Sequence, residues 1–346
     1  MKDEGGRRKE SPNRACGRFF FILHPSAFVL CCCISLTSLL AIPSAFAQNY
    51  PTKAIRVVVP FPSGGPSDIV GRIVSQKLSE AWGQAVIVDN RAGAGGVIGT
   101  EYVAKGPADG YQILHGTIGG LAVAMSLQPN RGYDTLRDFM PITQTVTVTN
   151  FLVVHPTVPV KSIKELIALA KTRPGKLNYA SSGSGTGPHL AGELLKYMAG
   201  INIVHVPYKG SAPGLTAMLS GEVDITFENS LLVMPHIASG KVRALGVTGA
   251  QRSKLLPELP TIGETLPGYN ASGWYGFVAP AATPKDVVAK LSAEMIHILR
   301  QPDVVTRLAG QGAEPIASTP EEFAAFIRAE IDKWSKLVAA AKMKAE

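Results

Sequence analysis

Two segments of this chain repeat one plan, and that repetition limits what the rest can be. Residues 57–78 and 177–198 each run from an apolar strand through a Gly, Ser and Pro loop into an amphipathic helix. In the first, Ile55, Val57, Val58 and Val59 precede PFPSGGPSD. Apolar residues then recur at Ile69, Val70, Ile73, Val74 and Leu78, which is the spacing of one helix face. Ser67 and Asp68 are N-cap residue types and stand where that helix is predicted to begin. In the second, a strand over residues 177–180 leads into SSGSGTGPH. Pro188 suits a first helical turn, and Leu190, Leu194, Tyr197 and Met198 form the apolar face. A helix N-terminus leaves backbone N–H groups without intrahelical partners and carries partial positive charge. Both loops are therefore prepared for an anion.

Around these units strands alternate with helices almost throughout, which predicts a mostly parallel sheet covered on both faces. The duplication predicts two α/β halves facing each other across a cleft. Residues 150–154 and 273–279 are then the crossings between them. The expected division is residues 48–149 for the first part of lobe 1, 150–272 for lobe 2, and 273–346 for the helical return to lobe 1.

Residues 1–47 read as a cleaved targeting segment. A basic region through Arg18 precedes an apolar stretch over residues 19–42, and Ala45-Phe46-Ala47 is a small-x-small site, placing the cut after Ala47. All four cysteines (Cys16, Cys31, Cys32, Cys33) fall in that segment, so disulfide scaffolds, cysteine zinc sites and thiol nucleophiles are excluded for the rest. The formal charge of +8 also shrinks, because 28 basic residues face 23 acidic ones beyond residue 47. No Lys/Arg block remains to serve as a nucleic-acid footprint.

The two loops fit three kinds of chemistry unequally. A phosphate-binding loop needs Lys and Ser/Thr after its last Gly. Here Pro66-Ser67 follows Gly65, and Pro188-His189 follows Gly187. Neither Gly93-Ala94-Gly95 nor Gly183-Ser184-Gly185 completes a G-x-G-x-x-G fingerprint. A hydrolase could use Ser184 with His189, but the G-x-S-x-G elbow is missing. The six histidines beyond the leader show no metal-ligand spacing.

Reversible capture of a small anion fits best. Residues 63–68 offer Ser63, Gly64, Gly65 and Ser67, and residues 181–186 offer Ser181, Ser182, Ser184, Gly185 and Thr186. Neither loop contains Lys or Arg, so the donors are neutral dipoles. Asp68 is read as a helix cap that could also receive a ligand group. Thr117 closes a strand, Tyr208 follows another, and Glu228-Asn229 ends a third, at the carboxyl edge where open α/β sheets bind ligands. Trp274 and Tyr275 are read as packing residues of a crossing strand that could instead stack on a ligand.

Seven stretches taken together resemble a known family. They are PFPSGGPSD (60–68), NRAGAGG (90–96), DGY (109–111), GKLNYASSGSGTGPHLAGELL (175–195), VHVPYKGSAPGLTAMLSGEVD (204–224), LPTIGE (259–264) and GWYGFVAP (273–280). They resemble the Bug type of periplasmic solute-binding receptors that serve tripartite tricarboxylate transporters. The resemblance implies an α/β chain with the type II periplasmic binding protein fold: two Rossmann-like lobes with a ligand cleft between them, joined by two crossing strands. It implies capture of a small carboxylate at the loops matched by residues 61–68 and 181–189, partly through bridging waters. Phe61 and His189 thereby join the candidate binding residues. It further implies a monomeric, periplasmic, non-enzymatic receptor without a cofactor, whose partners are the ligand and the membrane transporter subunits. Pro62 stands where the family often has Ala, and Glu228 where Asp is frequent. The competing classes are a periplasmic hydrolase using Ser184 and His189, and a ligand sensor for a membrane kinase.

Overall fold

The computed structural model describes residues 50–344; the predicted leader and predicted cleavage site lie outside them. Its core is two mixed sheets with helices packed on them. The first sheet has six strands: β1 (Ile55–Val59), β2 (Val86–Asn90), β3 (Gln112–Thr117), β4 (Phe139–Val148), β10 (Gly273–Pro280) and β11 (Ala313–Pro315). Their spatial order is β11-β4-β10-β3-β1-β2. The second has five, in the order β7-β6-β8-β5-β9. These are β5 (Asn150–Val154), β6 (Asn178–Ser181), β7 (Val204–Pro207), β8 (Ile225–Asn229) and β9 (Arg243–Val247). Four of the five β1 residues are buried, and so are all five of β5 and of β8, as expected of strands covered on both faces.

The chain passes between the sheets twice. Thr149 alone separates β4 from β5, and the chain returns to the first sheet at β10. Neither sheet is mostly parallel. β1 is parallel to β2 and β3, and β6 to β7 and β8, as the alternation of strand and helix requires. The strands next to the crossings are antiparallel, β10 to both β3 and β4, and β5 to both β8 and β9. A strand that arrives from the other sheet has no helical crossover to turn it round, so it runs against its neighbours.

The helices begin and end where local chemistry allows. α1 (Pro66–Trp82) starts at the N-cap Gly65 with Pro66 in its first turn and stops at Gly83, whose left-handed φ of 62° closes it. Ser67 and Asp68 are thus the second and third residues of the helix and not its cap. α2 is Val97–Ala104, and a π-turn at Gly119–Val123 leads into α3 (Ala124–Leu127). α4 (Thr135–Asp138) is capped by Asp134, and α5 (Ile163–Thr172) by Ser162, whose Oγ accepts the Glu165 N–H at 3.2 Å.

α6 (Gly187–Ala199), α7 (Ser211–Leu219) and α8 (Ser230–Ala238) complete the second sheet's cover. α9 (Lys285–Leu299), α10 (Pro302–Ala309) and α11 (Pro320–Ala340) form the C-terminal return. A Thr319–Glu322 capping box opens α11, which packs on the first sheet. Its Glu330 accepts the indole N–H of both Trp274 (2.9 Å) and Trp334 (2.8 Å), fixing β10 to that helix.

Candidate functional site

Four helices begin at one cavity. α1, α6, α7 and α8 come from different parts of the sequence, yet residues 65–67, 186–188, 210–213 and 229 all stand in the wall of a cavity of about 260 Å³. Each N-terminus adds partial positive charge and N–H groups, so the cavity suits an anion. Lys209 and Glu228 are the only charged residues in that wall among the described residues.

The wall contains Phe61, Ser63, Gly64, Gly65 and Ser67 from the first loop, Thr117 from the end of β3, and Ser182 and Thr186 from the second loop. Glu228 and Asn229, closing β8, complete the sequence-derived residues found there. Asp68, Ser181, Ser184, Gly185, His189 and Tyr208 are placed behind or beside it.

Their positions have clear causes. Asp68 is almost fully buried and turns back to accept the Gly64 N–H at 2.9 Å. It also accepts Arg72 Nε at 2.9 Å and Asn90 Nδ2 at 2.8 Å. Burial alone would raise its carboxyl. The bonds from Arg72, Gly64 and Asn90 outweigh burial and hold it below the usual carboxylate range. On α6, His189 Nδ1 accepts the Gly185 N–H at 2.9 Å, so the ring must be neutral with its proton on Nε2. It stacks on His205 with centroids 4.2 Å apart, and Ser181 Oγ meets His205 Nε2 at 2.6 Å. Burial, then the neighbouring His205 and Lys196, pushes His189 down to about 3.

Ser181, the last residue of β6, turns to His205, and Ser182, just past the strand, lines the cavity. Strand alternation separates Trp274, buried against Phe323 and Phe326, from Tyr275, which lines the cavity. Tyr208 points away, its hydroxyl donating to Glu222 Oε1 at 3.0 Å. The Ser184 carbonyl oxygen packs so tightly on Gly95 of the other lobe that a methyl group there would collide with it.

Sequence reasoning missed Asn150 and the start of α7. The signal for α7 was present. Gly210-Ser211-Ala212-Pro213 repeats the Gly/Ser/Pro entry of the other two loops, at the point where α7 begins. Among the described residues, no group of three His, Cys, Asp or Glu is placed to hold a metal ion. None of their helices is long and apolar enough to cross a membrane.

The relatives of this chain can be set beside that geometry. BugT of Bordetella pertussis is 39% identical over 294 residues, 84% of this chain and 90% of that protein. The structure of R. palustris Rpa4515 with adipate is 38% identical with a TM-score of 0.82, covering 86% of this chain and 100% of that one. MatC (Rpa3494) from Rhodopseudomonas palustris with bound malate is 31% identical with a TM-score of 0.78, covering 84% and 100%. The model of the tripartite tricarboxylate transporter family receptor matches residues 70–343. On a match spanning most of the chain, and on relatives this similar along nearly all of it, the chain belongs to the tripartite tricarboxylate transporter receptor family.

Proposed function

We propose that the chain is an exported, periplasmic receptor that captures a small carboxylate between its two lobes and delivers it to a tripartite membrane transporter. The convergence of four helix N-termini on one cavity carries this reading. N–H groups and hydroxyls receive the carboxylate as neutral dipoles, which orient it and still let it leave. The ligand favours closure because it touches the first loop from one lobe and the second loop and α7 from the other. The adipate and malate held by two related structures fit the same class of ligand.

A Ser184–His189 nucleophile lacks the arrangement it needs. His189 Nδ1 is engaged by the Gly185 N–H, and neither side chain lines the cavity. Such an enzyme would show turnover that Ser184→Ala abolishes, whereas a receptor has none to lose. A sensor for a membrane kinase would be encoded beside that kinase rather than beside transporter subunits.

The direct test is thermal unfolding of the exported protein with mono-, di- and tricarboxylates and amino acids. A ligand at about 100 times its Kd adds about 2.7 kcal/mol, enough to raise the midpoint by several degrees. No shift from any carboxylate would overturn the reading.

A further inference from the structure

Among the described residues Glu228 is the one acid in a cavity otherwise prepared for an anion. It sits at the penultimate position of β8, opposite Phe151 of β5, with 1% of its surface exposed. Its Oε1 is buried with no hydrogen-bond partner, and the residue stands in the cavity wall. A buried polar atom with no partner is rare in a folded protein, and here it points to a group supplied by the ligand. The carboxyl does receive hydrogen bonds from the Ser211 hydroxyl at the start of α7 and from the Asn229 backbone N–H. The charged or titratable groups sharing its wall are Lys209, before α7, and the Tyr275 phenol of β10. No ion pair joins Lys209 to Glu228 among the described residues.

Two ionised carboxylates this close repel, so an ionised Glu228 would reject the second carboxylate of a diacid. A protonated one would welcome it as a hydrogen-bond donor. We infer that Glu228 keeps its proton in the closed cleft and donates it in a hydrogen bond to a second carboxylate of the ligand, making the site selective for dicarboxylates. This rests on the carboxylate-receptor reading and adds to it. Burial supports the protonated form and outweighs the Ser211 and Asn229 hydrogen bonds, which favour the ionised one, pushing the Glu228 carboxyl up to about 8. No covalent bond changes. When Glu228 is ionised in the empty protein, binding takes one proton from solvent.

The test is calorimetric titration from pH 6 to 9 with adipate, malate and hexanoate, which is adipate with a methyl group in place of one carboxylate. The diacids should bind with level affinity up to about pH 7 and about tenfold more weakly at pH 9. At pH 9, buffers of different ionisation enthalpy should report uptake approaching one proton. Hexanoate should bind far more weakly and without that decline. Glu228→Gln should bind the diacids more weakly at pH 6, because an amide is the poorer donor, and should lose the decline. Wild-type protein needs no variant to answer: level diacid affinity to pH 9 overturns the inference, as does hexanoate binding as tightly as adipate. The same decline in Glu228→Gln also overturns it. Those three results leave the receptor reading standing; failure of all three acids and of the wider carboxylate panel removes both.

Discussion

The last two residues before α1 and before α6 share one conformation, and the loops that hold them are opposite in chemistry. Gly64 and Gly185 both have φ of 81°. The N-caps that follow, Gly65 and Thr186, have φ/ψ of −76°/165° and −75°/164°. In each, the glycine N–H donates at 2.9 Å to the side chain four residues on. That acceptor is an ionised carboxylate, Asp68, in one loop and a neutral imidazole, His189, in the other. An anion site needs its N–H donors held still, and spending the glycine N–H on this brace fixes the loop that carries the others. A carboxylate brace also puts negative charge behind the anion, and the Arg72 guanidinium offsets it. The imidazole brace adds no charge and depends instead on burial and on stacking against His205.

The braces should therefore fail differently. Asp68→Ala removes the acceptor from Gly64, Arg72 and Asn90 together. Half-exposed Arg72 can turn to water, so the cost falls at the low end for a broken buried pair, about 3 kcal/mol. Urea unfolding measures it, and a loss below about 1 kcal/mol would mean that Asp68 is not the brace. Asp68→Asn should lose less, because its amide oxygen can still accept the Gly64 N–H.

Acid separates the two braces next. His189 and His115, a buried ring behind the first loop at Ser67, are both pushed down to about 3, chiefly by burial. Unfolding returns them to the ordinary value of 6.5. Below 6.5 the unfolded chain binds protons that the folded one refuses. Their contribution is complete above that pH and falls by about 1.4 kcal/mol per ring for each unit below it, down to the folded value. Asp68, lowered instead, loses its contribution only as pH falls through the carboxylate range. Unfolding midpoints between pH 7.5 and 5 should therefore drop, and His189→Gln should make the slope shallower by one ring's share. An unchanged slope in that variant would show that His189 is already protonated in the fold.

How much of this was legible follows from which signals are local. The loops at residues 61–68 and 181–189 could be read because Gly, Ser and Pro followed by an amphipathic face are short-range facts. The third entry, Gly210-Ser211-Ala212-Pro213, has the same wording. Its preceding strand β7 is half-exposed and only four residues long, so no buried run announced it. Glu228 and Asn229 were readable from their place at a strand's carboxyl end. The missing partner of Glu228 Oε1 was not, because it depends on what β5, α7 and β10 bring near. Tyr208 stands at a similar edge and turns to Glu222 instead, a choice that position along a strand does not encode. Strand direction was also beyond reach. Apolar periodicity is the same for parallel and antiparallel strands, and β5 and β10 run against their neighbours because of where the chain came from.

The smallest effect gives the sharpest version of the comparison. Gly64→Ala and Gly185→Ala place the same residue at the same φ, so each should carry about 1–2 kcal/mol of left-handed strain. They differ in what the new methyl group meets. At Gly64 nothing lies within 4 Å; at Gly185 it would sit 3.3 Å from Leu127 Cδ2 and 3.6 Å from Val123 Cγ1. Those two atoms belong to the other lobe, around the π-turn and α3. The Leu127 tip can give by a few tenths of an ångström, so the difference in unfolding energy should be only a fraction of a kcal/mol. Ligand affinity should separate the pair more clearly, because crowding at Gly185 pushes the lobes apart while Gly64→Ala strains its loop alone. Paired denaturation and titration of the two variants decide it. If Gly185→Ala loses more affinity than stability relative to its partner, contact with the facing lobe is what distinguishes the second loop. Equal losses on both scales would reduce the difference between the loops to the acceptor that braces each one.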